Sequence, residues 1–117
     1  MSRLRISAPA RDDLEDILAT SLERWGVTGR ARYAALLAAA MRRIARDPEG
    51  SATRDRVELS TGVRSLHIRD ARGARGVKDP VHLIFYRVNA DVVEVVRVLH
   101  ERMEPTLHLG MRKPKRR

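Results

Sequence analysis

Two apolar stripes at helical spacing, set almost end to end, constrain this chain more than any other feature. Leu14, Ile17, Leu18, Leu22 and Trp25 recur at three- and four-residue intervals, and Gly26 stops the run. Tyr33, Leu36, Leu37, Ala40, Met41 and Ile44 repeat the pattern until Pro48 and Gly50 end it. Ser7 suits the cap of the first helix, and Pro9 falls in a first turn that needs no N–H from it. Asp12 and Asp13 suit the positive end of its dipole. Thr28 suits the cap of the second, with Arg42, Arg43 and Arg46 in the last turns, where cations are favoured. The pattern predicts a helix over roughly residues 8 to 25 and another from Thr28 to about Arg46. Only a short link joins them, which predicts an antiparallel hairpin.

Outside the hairpin the period changes to two. Leu4 and Ile6 alternate with Arg3 and Arg5, a short strand with one wet face. Val63 to Ile68, Val81 to Val88 and Val92 to Leu99 read as three further strands. Asn89-Ala90-Asp91 is a tight turn, so the last two pair antiparallel. The charged, glycine-containing stretch from Asp70 to Pro80 reads as a long mobile loop. The order strand, helix, helix, strand, strand, strand predicts an α+β fold: an antiparallel sheet packed against an N-terminal helical hairpin. With aromatics at only 3%, the core must be mainly aliphatic. A chain of 117 residues suits one domain, placed at residues 1–110. A basic tail, 111–117, follows, with five cations in seven residues.

Several function classes fall away. There is no cysteine, so disulfides and thiolate metal sites are excluded. No apolar run is long enough for a signal peptide or a membrane span, and the expectation is a soluble cytoplasmic protein with no membrane partner. A formal charge of +9 favours polyanions or an acidic protein partner. The stretch Leu99-His100-Glu101-Arg102-Met103-Glu104-Pro105 is one residue short of the zinc-binding H-E-x-x-H, with Glu104 at the fifth position. A valine-rich strand precedes it and Pro105 follows, so no helix can present it. His67, His82, His100 and His108 have no ligand spacing either.

His82 and Tyr86 share a strand face but lie roughly 13 Å apart along it. That is too far for a hydrogen-bonded acid–base pair. Arg64, Arg87 and Arg97 are expected to pair with acids such as Glu94 or Glu58. No catalytic residue, metal site or cofactor site is expected. The second helix carries a further feature. Ala34, Ala35, Ala38, Ala39 and Ala45 leave its remaining surface small and apolar, as a second buried contact would require.

Five pieces of the chain together resemble the ParE family of bacterial toxins, within the ParE/RelE superfamily. They are "DLEDI", "RWG" followed by "ARYAALLAAAMRRIARDPEG", "GVRSLHI", "HLIFYRV" and "VEVVRVLHERME…HL". They span nearly the whole chain in order, and "LHERME" matches the closing signature of that family. The resemblance implies a helical hairpin on an antiparallel sheet. It also implies the toxin of a type II toxin–antitoxin pair, a non-enzymatic poison of DNA gyrase neutralised by a ParD-like antitoxin. Operator DNA would then be contacted only through the antitoxin.

On this reading Ala35, Ala38, Arg42, Arg43 and Arg46 are the expected antitoxin-binding residues. Leu107, Leu109, Met111, Arg112 and Lys113 are the expected target-binding residues. His100, Arg102 and Glu104 are expected to end the last strand and pair locally with the helices. The long loop from Asp70 to Pro80 and the basic extension depart from the family pattern. The alternative is a RelE-like ribosome-dependent mRNA interferase, but no tyrosine follows Tyr86 to serve such an RNase. A plain nucleic-acid-binding module lacks the aromatic stacking surface that single-strand binders use.

Overall fold

Ser7 organises the start of the molecule. In the computed structural model, which describes residues 2–71 and 76–109, β1 (Arg3–Ile6) ends at this serine. Its hydroxyl accepts the Ala10 N–H at 3.1 Å and donates to the Val96 carbonyl at 2.9 Å. One side chain thus caps α1 (Ala8–Arg46) and ties its first turn to the sheet. Asp12 and Asp13 lie beyond that first turn, so the expected dipole role is corrected.

A straight helix of 39 residues would run about 58 Å. This one folds back: the Ser2 N–H, just before β1, donates to the Ala45 carbonyl at 2.9 Å, beside the start of α1. The break is a single residue, Gly26, at φ 76°, a region an L side chain enters only with strain. A Cβ there would meet nothing within 4 Å, so the backbone alone demands glycine. Thr28 already lies inside the second half and caps nothing. The hairpin is as expected, with a one-residue hinge in place of a loop.

Four more strands complete the sheet: β2 (Arg54–Asp55), β3 (Val63–His67), β4 (His82–Asn89) and β5 (Val92–His100), in the order β1-β5-β4-β3-β2. A 3-10 turn, Ile68–Asp70, follows β3, and a short helix, α2 (Pro105–His108), follows β5. The expectation of an all-antiparallel, four-stranded sheet is corrected twice. β1 runs parallel to β5, and β2, two exposed residues with no apolar pattern, adds a fifth strand against β3. The helices and three strands separate β1 from β5, so no turn dictates their relative direction. The parallel alignment is the one that sets Ser7 beside Val95 and Val96 and sends α1 over the sheet with Ala10 fully buried.

The sheet carries a core on each face. Leu66, Ile84, Tyr86, Val93, Val95 and Val98 meet Tyr33, Leu36, Leu37, Ala40, Met41 and Ile44 of α1. On the opposite face Val63, Phe85 and Leu99 form a smaller cluster, covered by Leu59, Leu83, Val96 and Leu109. A register shift between Phe85 and Tyr86 pairs Phe85 with Arg97 and Tyr86 with Val95, leaving Val96 as the extra residue. The bulge resets the alternation, so Val98 rather than Arg97 joins Val93 and Val95 against the helices.

Candidate protein-interaction site

The outward face of the second half of α1 is built from small residues followed by cations. Tyr33, Leu36, Leu37, Ala40, Met41, Ile44 and Ala45 are buried. Helical spacing therefore turns Ala35, Ala38, Arg42 and Arg46 to solvent, and all four are exposed. At the C-terminal end a cavity of about 330 Å³ is lined by Ala39, Arg42, Arg43, Arg46 and Asp47. Arg43 is half-buried and donates to the Asp70 carbonyl at 3.0 Å, so part of its capacity holds the 3-10 turn against α1. Four of the five residues expected to bind an antitoxin thus form one accessible stripe, and the fifth is partly committed to the fold.

The expected target-binding residues divide. Leu107 is 75% exposed on α2. Leu109 is half-buried against the Val63, Phe85 and Leu99 cluster. Met111, Arg112 and Lys113 lie outside the described residues, as do the rest of the tail and positions 72–75 of the expected 70–80 loop.

The strand arginines find partners other than those expected. Arg97 makes a two-pronged bond to Asp13, Nε to Oδ2 at 2.7 Å and Nη2 to Oδ1 at 2.8 Å. The Val98 N–H donates to the same carboxylate at 2.9 Å. The Asp13 hydrogen bonds hold the Arg97 guanidinium pKa above its usual value. Arg64 donates to the Pro48 carbonyl and to Thr53 Oγ1. Among the described residues Arg87 reaches Ser60, at 3.4 Å. Glu58 pairs with Arg56 at 2.7 Å, and no ion pair to Glu94 forms among the described residues.

"LHERMEP" closes β5, and among the described residues it bonds to the sheet through Glu101 and to α2 through Glu104, with no hydrogen bond to α1. Glu101 accepts from His67 Nε2 at 2.8 Å, and that bond lowers the Glu101 pKa. The Arg102 N–H donates to His100 Nδ1 at 3.0 Å. Glu104 accepts from Thr106 Oγ1 at 3.1 Å, ahead of Pro105 in the first turn of α2.

One arrangement was invisible in the sequence. Tyr33 and His82 are 49 positions apart, yet the Tyr33 hydroxyl lies 2.6 Å from His82 Nδ1. The Val81 N–H donates to the same hydroxyl at 3.2 Å. His82 in turn stands edge-on to His100, its cross-strand partner, at 5.5 Å. The expectation that no acid–base pair exists is therefore corrected in geometry.

Electrostatics keep this pair at rest. Burial first, then His100 and His67, push His82 down to about 4, outweighing Asp13 and Glu101. Burial raises the Tyr33 pKa. A protonated phenol donating to a neutral imidazole is a latch between helix and sheet, not an activated nucleophile.

The latch should be sensitive to acid. The unfolded chain's histidine takes up a proton near its ordinary 6.5, while folded His82 resists until about 4. Stability should therefore fall as pH drops through that window. Glu101, held low by His67, adds a loss in the same direction at the acid end. The melting temperature is expected to decline from pH 6.5 to 4, and His82→Asn, which keeps an acceptor for Tyr33, to flatten the decline. A flat wild-type profile over that range would contradict the assignment.

Among the described residues, no group of three or more His, Asp or Glu side chains could hold a metal ion. Nor is any helix among them long and apolar enough to cross a membrane.

Residues 4–105 match the model of the family described as "ParE toxin of type II toxin-antitoxin system, parDE". The chain belongs to the ParE toxin family. It is similar to Toxin ParE1 of Caulobacter vibrioides, at 40% identity over 110 residues, covering 94% of this chain and all of that one. It is also similar to Toxin ParE1 of Mycobacterium tuberculosis, at 35% identity over 104 residues, covering 88% and 93% of the two chains. Its fold is shared with a chain from a structure titled "Chromosomal ParDE TA system from P. aeruginosa". There the TM-score is 0.67, with 17% identity, covering 86% of this chain and 96% of that one. The protein is thus the toxin component of a type II toxin–antitoxin system.

Proposed function

We propose that this ParE-family toxin poisons DNA gyrase in the cytoplasm and is neutralised by a ParD-like antitoxin. The family match over residues 4–105 carries the reading. The site chemistry supports a binding protein over the RelE-like interferase. Two of the three strand arginines are engaged within the fold, Arg97 by Asp13 and Arg64 by Pro48 and Thr53, while Arg87 is exposed. Of the close acid–base pairs, Tyr33 and His82 rest with the proton on the phenol, and His67 is bonded to Glu101 at 2.8 Å. The antitoxin's amphipathic segment lies on Ala35 and Ala38 with its acids toward Arg42 and Arg46. Operator DNA is reached only through the antitoxin.

The test is a supercoiling assay with purified gyrase. The toxin is expected to inhibit supercoiling and accumulate cleaved DNA, and a stoichiometric antitoxin to abolish both effects. Ribosome-dependent, codon-positioned cuts in a reporter mRNA, with gyrase unaffected, would establish the interferase instead.

The tail supplies a second arm of the same assay, since Leu107, Leu109, Met111, Arg112 and Lys113 are proposed to meet the target. Deleting residues 110–117 is expected to weaken inhibition at least about tenfold, a loss of roughly 1.4 kcal/mol of target binding, with melting temperature unchanged. Deleting Leu109 as well should also lower the melting temperature, because it uncovers Phe85 and Val63. Full poisoning by the shorter chain would remove the tail from the target interface.

A further inference from the structure

The face of the sheet turned away from α1 carries cations with few acids to meet them. Strand register fixes which side chains share that face. Val63 and Phe85 belong to the outer cluster, and their cross-strand partners Arg87 and Ser65 stand beside them. Arg54 lies opposite Ser65, Glu94 opposite Arg87, and Arg5 opposite Glu94. Arg3 keeps the phase of Arg5, because Ile6 faces the helices. Arg3, Arg5, Arg54 and Arg87 are all exposed. They reach from one edge of the five-stranded sheet to the other, four strand spacings or about 19 Å.

The fold does not consume these cations. Glu58 pairs with Arg56 and Glu101 with His67, and among the described residues no ion pair involves Arg3, Arg5, Arg54 or Arg87. Glu94, half-buried between Arg5 and Arg87 in register, is the acid set against them. The basic end of the chain starts from the same face. Leu109 lines a small cavity with Val63, Val96 and Arg87. Residues 110–117 continue from it with five cations and no acid.

We infer that this face, together with the basic end, binds the phosphate backbone of double-stranded DNA without regard to sequence. Exposed arginines suit phosphate oxygens, which their planar forks can grip with two bonds. A duplex carries one phosphate per about 1.7 Å of axis. A rigid row of arginines about 19 Å wide therefore meets several at once. The apolar centre of the face is sealed, with Val63, Phe85 and Leu99 at most 2% exposed. That withholds the apolar core a protein interface needs, and the ring on which an unpaired base would stack. A broad sheet face does not enter a groove, so it meets phosphates rather than base edges. Operator choice stays with the antitoxin, as proposed above. The face lies across the sheet from the α1 stripe of Ala35, Ala38, Arg42 and Arg46, and the inference stands whether or not gyrase is the target.

The test is fluorescence anisotropy with no gyrase present. A labelled duplex of about 20 base pairs is titrated with the full chain between roughly 50 and 200 mM salt. Log affinity is expected to fall linearly with log salt, by about 0.9 for each phosphate neutralised. Duplexes of unrelated sequence should bind alike. Arg5→Ala with Arg87→Ala should make the slope shallower by roughly 1.8 and weaken binding at least about tenfold at low salt, with circular dichroism and melting temperature unchanged. Arg54→Ala, at the far edge, should remove one contact more. Arg24→Ala with Arg30→Ala takes the same charge from exposed positions on α1 and should leave the slope as it is.

An unchanged slope in the sheet variants, or an equal drop in the α1 variant, would overturn the proposal. Two other results would overturn it in favour of another occupant. Tighter binding of a single-stranded oligonucleotide with the same number of phosphates would assign the surface to unpaired nucleic acid. Displacement of the duplex by polyglutamate at equal charge would assign it to an acidic protein. Gyrase inhibition is read separately in the supercoiling assay, so failure here leaves that reading intact.

Discussion

Asp13→Ala is expected to lower the melting temperature by roughly 10 °C. The carboxylate is 12% exposed and the Arg97 side chain 22%. Three donors converge on it: two from the guanidinium and one from the Val98 backbone. Removing the acid strands a largely buried cation and an unpaired N–H. Breaking a buried pair this way typically costs 3–5 kcal/mol. The remaining exposure places the change near the lower end, about 3 kcal/mol, and a domain of this size loses several degrees per kcal/mol.

The pair also pins the first half of α1 to β5 at the bulge, so hydrogen exchange should accelerate at Val98 and its neighbours before the rest of the sheet. Arg97→Met in the same chain should recover part of the loss, because no charge is then left buried. A fall of less than about 3 °C in the single variant would show that Asp13 is solvated rather than structural.

The second large effect concerns neutralisation. Ala35→Glu with Ala38→Glu places two carboxylates on the exposed stripe of α1, where alanine lets a partner backbone approach closely. Both positions point away from the core, so the fold and its melting temperature should be retained. If the proposed acidic antitoxin segment lies on this face, the added charges should both clash and repel. A site that behaves as a hot spot should lose at least about 2 kcal/mol, roughly thirtyfold in Kd, measured by calorimetry with the ParD-like antitoxin. In cells the variant toxin should escape co-expressed antitoxin. Arg42→Glu should weaken the same complex by less, since a rim charge acts more on association rate than on affinity. Undiminished affinity of the double variant would move the antitoxin off this face.

The hairpin, the antiparallel strands and the family could be read from the sequence. The hairpin and the strands rest on local patterns: stripes at helical spacing on either side of Gly26, alternation in "HLIFYRV", a tight turn at Asn89-Ala90-Asp91; the family rests on five such pieces in order along the chain. The bulge left a trace as well. In "VEVVRVL" the doubled Val95-Val96 breaks the two-residue period where Val96 becomes the extra residue, although period alone does not say which strand yields.

Tertiary structure decided what depends on residues meeting across the chain. The direction of β1 against β5 is one such outcome, because no short turn links them and packing beside Ser7 had the choice. Tyr33 with His82 and Asp13 with Arg97 are others, separated by 49 and 84 positions. A polar side chain carries no periodic mark that names its partner. Its partner is selected only when helix and sheet come together and every buried donor must find an acceptor. Whether Leu109 belongs to a free tail or to the outer core likewise depended on Phe85, Val63 and Leu99 presenting an apolar face on the side of the sheet away from the helices.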